Sequence, residues 1–295
     1  MSERKRRRGD RYDAYRVRNA DAMHVFMPYL LPNRADNEAV LNEKVDLTEV
    51  LKYVEEKNAG NPEFKYTVFH ILCAAVAKVV TLRPKMNYFY SGRRLYEKKD
   101  LTFAFVVKKR FADNSPETLA IVKFDRESDK SPVDFFYQKV KDIVYGVRKD
   151  NKQDGGTDIM DSLKKLPRFV LRLFVHMLNF LEFHGRLPKG FLEVDPYHAS
   201  VFISNLGSIK MNANYHHLAN WGTNSFFIVV GEIHKEPVTD SDGNVEVKDV
   251  VDLGLTIDER IADGVYFAKS IRLLRKLLAN PHLLDLPIGS EIEFE

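Results

Sequence analysis

The chain has 295 residues, 44% of them apolar and 29% charged, which is enough for a sizeable core and excludes wholesale disorder. Cys73 is the only cysteine, so an intrachain disulfide and a cysteine-built metal cluster are excluded, and the composition suits a reducing cytoplasm. The net charge of +3 is concentrated: eight Lys/Arg against three acids give residues 1–18 a charge of +5 and leave −2 for the rest. Residues 1–18 therefore read as a basic flexible tail, a solvated arm able to touch nucleic acid or anionic lipid, and 19–295 as one domain. No apolar segment of the secretory kind follows the basic start, and no uncharged apolar run reaches eighteen residues.

In chain order, Met23 to Leu31 is apolar and ends at Pro32. Asp46 then opens an expected helix, with Glu49 as its capping-box partner and Gly60, Asn61 and Pro62 as its stop. A second helix follows Thr67, Ala-rich and apolar on most sides, with Pro84 beyond its end. Its His70 and Cys73 read as packed core residues. Leu101 to Val107 and Thr118 to Phe124 are rich in β-formers and flank a charged loop. Ser131-Pro132 starts a helix with Asp134 in its first turn, and Asp154 to Thr157 reads as a loop.

Leu166 to Phe183 is the most apolar segment, with a narrow polar stripe of Arg168, Arg172, His176 and Asn179. It lacks the wide cationic face of an interfacial membrane helix and reads as buried or facing another subunit. Strands are expected at Ser200–Asn205, Ser225–Gly231 and Val250–Ile257, with a hairpin turn at Asp240–Asn244 joining the last two. A closing helix runs from about Ala262 to Ala279, with Pro281 after it. The order lacks a regular βαβ rhythm, so the fold class is α/β, a two-layer sandwich with a mixed, largely antiparallel sheet. No glycine-rich phosphate loop is present, which argues against a nucleotide-binding fold.

Three colinear segments carry a resemblance. The Ala-rich helix ends in RPKMN (Arg83 to Asn87), ISNLGS runs from Ile203 to Ser208, and LTIDERIADG runs from Leu255 to Gly264, followed by a helix and NPHLL. Together they resemble the catalytic domain of the 2-oxoacid dehydrogenase acyltransferases, relatives of chloramphenicol acetyltransferase. The resemblance covers about residues 15 to 287, with no counterpart of a lipoyl domain or a peripheral-subunit-binding domain. It implies a chloramphenicol acetyltransferase-like sandwich, a homotrimer with active sites between subunits, and CoA or acyl-CoA as substrate with no covalently bound cofactor. The partner implied is an acyl acceptor: a free thiol, a separate lipoyl or thiol carrier, or an alcohol.

The resemblance also assigns roles. Ser204 stands at the oxyanion donor's position and Asp263 at that of the supporting acid four residues after the base, with Asn205, Gly207, Arg260 and Gly264 as structural neighbours. The base is a histidine in that family; here the position holds Glu259. A free thiol titrates near 8.5, a glutamate near 4.3 and a histidine near 6.5, so an unperturbed glutamate base adds roughly 3 kcal/mol to proton transfer. Burial recovers that deficit, and a nearby cation enlarges it. Glu259 thus reads either as a working base or as a structural partner of an arginine. His216 and His217, beside Trp221 in NYHHLANWG, are substrate-channel candidates and a second source of base; as metal ligands they lack a third partner.

Two functions follow from the resemblance, and a third, an adaptor for nucleic acid or anionic lipid, follows from the basic tail. The first is a CoA-dependent acyltransferase moving an acyl group between CoA and a thiol or other acceptor. The alternative is a catalytically inactive trimeric scaffold, or a CoA- or acyl-binding module, that lost the base.

Overall fold

The computed structural model describes residues 4–108, 117–149, 163–239 and 242–294. Strand β1 (Ala14–Arg16) is followed by helix α1 (Ala22–Leu30), capped by Asp21, whose carboxylate accepts from the His24 N–H at 3.0 Å. Strand β2 (Glu38–Asp46) leads into α2 (Thr48–Asn58). The capping box expected of Asp46 and Glu49 does not form. Asp46 is still in the sheet ladder opposite Val250, so Leu47 takes the cap position and Asp46 accepts from the N–H and hydroxyl of Thr48.

Helix α3 (Val68–Leu82) starts as its sequence directs, with reciprocal capping bonds between Thr67 and His70. Its small side chains permit close approach, and every residue from His70 to Val80 is buried. Strands β3 (Tyr88–Ser91) and β4 (Arg94–Lys98) form a hairpin, and β1 pairs with β4 to complete a three-stranded antiparallel sheet. The tail boundary at residue 18 therefore moves toward the N-terminus. Residues 14–16 are a strand, and Asp10 and Arg11 are buried, because carboxylates neutralise the Arg11 guanidinium inside the fold.

Strands β5 (Leu101–Lys108) and β6 (Glu117–Phe124) flank the expected charged loop, most of which lies outside the described residues, and α4 (Pro132–Lys149) follows. The Asp154–Thr157 loop also lies outside them. Next come α5 (Arg168–Phe183), α6 (Lys189–Val194), β7 (Val201–Asn205) and β8 (Phe226–Val230). The sequence reading missed β9 (His234–Thr239), which pairs with the long β10 (Val245–Asp258) before α7 (Gly264–Ala279). The glycine-bearing turn accordingly joins β9 to β10 rather than β8 to β10; its residues 240 and 241 lie outside the described set.

The main sheet has the order β2-β10-β8-β7-β5-β6, with β9 on β10. The β5–β7 and β7–β8 pairings are parallel and the others antiparallel, the mixed and largely antiparallel α/β sandwich expected. One face, carrying Phe103, Ile203, Ile228, Leu253 and Leu255, packs with residues of α2, α3, α4 and α7 in a single core. The other face carries Ala104, Phe202, Phe227 and Val229 in a much smaller cluster. Among the described residues no helix is long and apolar enough to cross a membrane.

Candidate functional site on the second face of the sheet

Side chains alternate along a strand. On β7, Val201 and Ile203 enter the main core, so Ser204 shares the opposite face with Phe202. On β10 the core takes Val251, Leu253, Leu255 and Ile257, which turns Gly254, Thr256 and Asp258 to that same second face. Residues 206–222 cross this face. A Cβ on Gly207 would lie 2.3 Å from the Gly231 carbonyl oxygen, so only glycine lets the chain leave Ser204 this closely. Asn214 passes over Gly254, and the Leu218 N–H donates to the Glu38 carboxylate.

The two motif residues stand at different levels of the sheet. Ser204 is level with Val229, and Val229 with Gly254; Glu259 follows Gly254 by five residues. At about 3.3 Å per residue and 4.8 Å per strand, the Cα atoms of Ser204 and Glu259 are roughly 19 Å apart. Side chains of their length cannot bring Oγ and carboxylate to one acyl carbonyl within a single copy.

Ser204 is half-buried, Glu259 is exposed, and among the described residues neither side chain spends its polar atoms on a hydrogen bond or ion pair. The reading of Glu259 as an arginine's structural partner is therefore not met in the single chain. That task falls to Asp258, which is fully buried and takes the Arg260 guanidinium at 2.8 and 2.7 Å. Arg260 Nη1 also donates to the Leu31 carbonyl, and Arg34 Nε lies 3.7 Å from the same aspartate. The remaining nitrogens of Arg34 donate to the carbonyls of Ala219, Tyr90 and Gly222, tying the crossing loop to the end of β10. Arg34 was not singled out from the sequence; only the unpaired charge of an Asp-Glu-Arg segment hints that a second cation is needed.

Asp263 is exposed and caps α7, accepting from the Tyr266 N–H at 2.8 Å, and that bond holds its carboxyl below the usual carboxylate range. Gly264 occupies the first helical position, and a Cβ there would meet nothing within 4 Å. Asn205 ends β7, and its carbonyl accepts from the Ser208 hydroxyl.

The channel candidates divide. His216 is exposed and stacks on Phe227 at 4.4 Å, with His217 stacked beside it at 5.2 Å. Phe227 is one strand and two residues from Ser204's level, roughly 8 Å between Cα atoms, so His216 stands over the sheet between Ser204 and Glu259. Trp221 is committed elsewhere. Its indole donates to Asp195 at 2.6 Å and sets its edge against His198 and Phe191.

Trp221 belongs to a buried ionic cluster that sequence reasoning did not assemble. His198 lies between Asp195 at 2.9 Å and Glu182 at 3.2 Å, and Glu182 also takes Arg11 at 2.9 Å. Burial opposes the imidazolium, but the two carboxylates outweigh it and raise the His198 pKa. Burial likewise opposes the Glu182 carboxylate, and His198 and Arg11 overcome it, bringing Glu182 to about 2. The spacing of Asp195 to His198 was the only local signal; Glu182 and Arg11 come from distant parts of the chain. Beside this cluster a cleft of about 300 Å³ opens between α1, the β3–β4 turn and α5, and neither Ser204 nor Glu259 lines it.

Comparison with known proteins bears on the fold and on one segment of the chain. Residues 189–286, which include both Ser204 and Glu259, match the 2-oxoacid dehydrogenases acyltransferase (catalytic domain) family. No curated protein matches the chain by sequence. The fold superposes on a probable dihydrolipoamide acetyltransferase from Listeria monocytogenes with a TM-score of 0.58 and 16% identity, over 90% of this chain and 94% of that one. The cubic core of a pyruvate dehydrogenase multienzyme complex gives 0.59 and 17%, over 92% and 94%. Chloramphenicol acetyltransferase gives 0.51 and 11%, over 90% and 99%.

The architecture is therefore that of the chloramphenicol acetyltransferase-like sandwiches. Within that class, the resemblance carried by the sequence motifs is met in residues 189–286, which are similar to the catalytic domain of the 2-oxoacid dehydrogenases acyltransferases.

Proposed function

We propose that this chain is a CoA-dependent acyltransferase that works as an oligomer, with Ser204 of one copy and Glu259 of a second copy meeting at one acyl carbonyl. The observation that carries the reading is the pair of unspent polar side chains in the family-matched segment, set too far apart on one sheet to act together within a copy. Acyl transfer between thiols needs a base for the thiol proton and a donor for the developing oxyanion. Ser204 Oγ supplies the donor and Glu259 the carboxylate base. Asp263 holds the turn after Glu259 by capping α7. The acceptor is a thiol, free or on a separate lipoyl-type carrier. Cubic assemblies contain threefold axes, and likeness to a cubic core favours a trimer in which each copy's Ser204 faces the next copy's Glu259.

The exposure of Glu259 favours a second reading, a trimeric scaffold or CoA-binding module without turnover. Thiol release from a panel of acyl-CoAs, with dihydrolipoamide and other acceptors, separates the two. The enzyme reading expects Glu259→Gln to lower kcat by about a hundredfold or more and Ser204→Ala by a similar factor. Equal mixing of the two inactive variants restores about a quarter of the sites, since each site draws on two copies independently. Turnover indifferent to Glu259→Gln moves the base to His216. CoA binding with no turnover from any acyl donor establishes the scaffold reading.

A further inference from the structure

Helix α5 is apolar without being covered. Phe169, Leu173, Met177 and Phe180 fall at spacings of four, four and three, which is one stripe of a helix. They are 75%, 71%, 48% and 59% exposed. The side turned to the body, with Val170, Leu171, Phe174, Leu178 and Leu181, is only half-buried. Among the described residues the only buried residue of the helix is Glu182, held by Arg11 and His198.

The exposed charged residues of α5, Arg168 and Arg172, have one sign. From Leu163 to Leu181 the sequence contains Lys164, Lys165, Arg168 and Arg172 and no acid. Arg168 and Arg172 form a row beside the apolar stripe, continued by His176 and Asn179. The fold adds what the helix alone lacks. A Cβ on Gly92, whose φ is +56°, would lie 2.1 Å from the Phe183 carbonyl oxygen, so the β3–β4 turn is seated directly on the end of α5. That turn presents Arg93 and Arg94 to solvent, and Arg186 is exposed just beyond the helix.

Helix α1 meets the same turn, with the Arg93 guanidinium 5.1 Å from the Tyr29 ring centre. It exposes a second apolar stripe, Met23, Phe26 and Leu30, at 65%, 63% and 71%. No acid occurs between Asp21 and Asp36. The basic arm joins here as well, because Arg11, which bonds to Glu182, anchors it at the end of α5.

We propose that α5, with α1 beside it, seats the protein on an anionic lipid surface. A bilayer interface takes both parts of such a helix at once, apolar side chains among the acyl chains and cations among the headgroup phosphates. A second copy fits less well, since burying the stripe against it would also press an acid-free cationic row onto protein. The surface is distinct from the face bearing Ser204, and the inference does not depend on the catalytic reading.

The test is co-sedimentation of the full chain with vesicles of phosphatidylcholine containing one part in five phosphatidylglycerol, against pure phosphatidylcholine. The expected result is binding to the anionic vesicles only, weakened several-fold between about 0.1 and 0.5 M salt. Phe169→Glu with Leu173→Glu should lower that binding by about tenfold or more, and Arg168→Gln with Arg172→Gln by a smaller factor, with thiol release or CoA binding unchanged. Absence of wild-type sedimentation with anionic vesicles overturns the proposal. So does a change of oligomeric state in the Phe169→Glu, Leu173→Glu variant without vesicle binding by the wild type, which would assign the stripe to a second copy.

Discussion

Helices α3 and α5 have similar lengths and are both strongly apolar, yet they reach opposite environments. From His70 to Val80 α3 is buried without interruption, whereas α5 buries Glu182 alone. The difference lies in side-chain size and in the spread of charge. Cys73, Ala74, Ala75 and Ala77 let other elements approach α3 from several sides, and its one cation, Lys78, is satisfied by the carbonyls of Leu283, Leu286 and Pro287. Helix α5 offers large side chains that hold neighbours off, and its two arginines, Arg168 and Arg172, stay exposed at its start. Apolar content shows that a surface will be covered. It does not say whether the covering comes from the same chain.

The attachment of α5 is most vulnerable at Glu182. Glu182→Ala leaves Arg11 and His198 buried without their shared carboxylate, and a loss of about 3–5 kcal/mol in urea unfolding is expected. Detachment of the α5 end, read by proteolysis near residue 185, should accompany it.

The same cluster has a pH signature. The Glu182 pKa is depressed from 4.5 to about 2, so its stabilisation is complete above about pH 4.5 and lost as pH falls toward 2. The His198 pKa is raised above 6.5, so its contribution is complete below that value and lost as pH rises through the raised one. Stability of the α5 attachment should therefore be greatest between about pH 4.5 and 6.5. Glu182→Gln should remove the acid limb of that profile.

Ile71→Ala in α3 should cost about 3 kcal/mol, because the side chain is fully buried and the rigid surroundings leave a cavity. The matching change in α5, Leu173→Ala, should stay within about 0.5 kcal/mol for the isolated chain. A large cost at Leu173 would mean that the stripe is already covered in solution, and urea unfolding at two protein concentrations would tell a self-contact from an internal one.

Legibility followed the range of the interactions. The α3 cap, the strands β5, β6, β7 and β8, and the closing helix were readable because they depend on residues a few positions apart. The Asp46 cap failed because its sheet pairing with Val250, distant in sequence, takes precedence. Strand β9 was missed because its burial alternates between half-buried and exposed with no apolar run. Motif positions were visible for Ser204, Glu259 and Asp263. The bond from the Trp221 indole to Asp195 was not legible, since the two residues are brought together only in space.

The α/β class, the mixed sheet and the family likeness were readable from the residues alone, because periodicity, caps and short motifs are local properties of the chain. Folding in three dimensions sets Ser204 on β7 far from Glu259 just past the end of β10, lets Glu182 pin α5, and leaves the rest of α5 open. Those facts depend on strand register and on contacts between residues as distant as Arg11 and Glu182. No local pattern encodes such contacts, because their energy exists only once the intervening chain has folded.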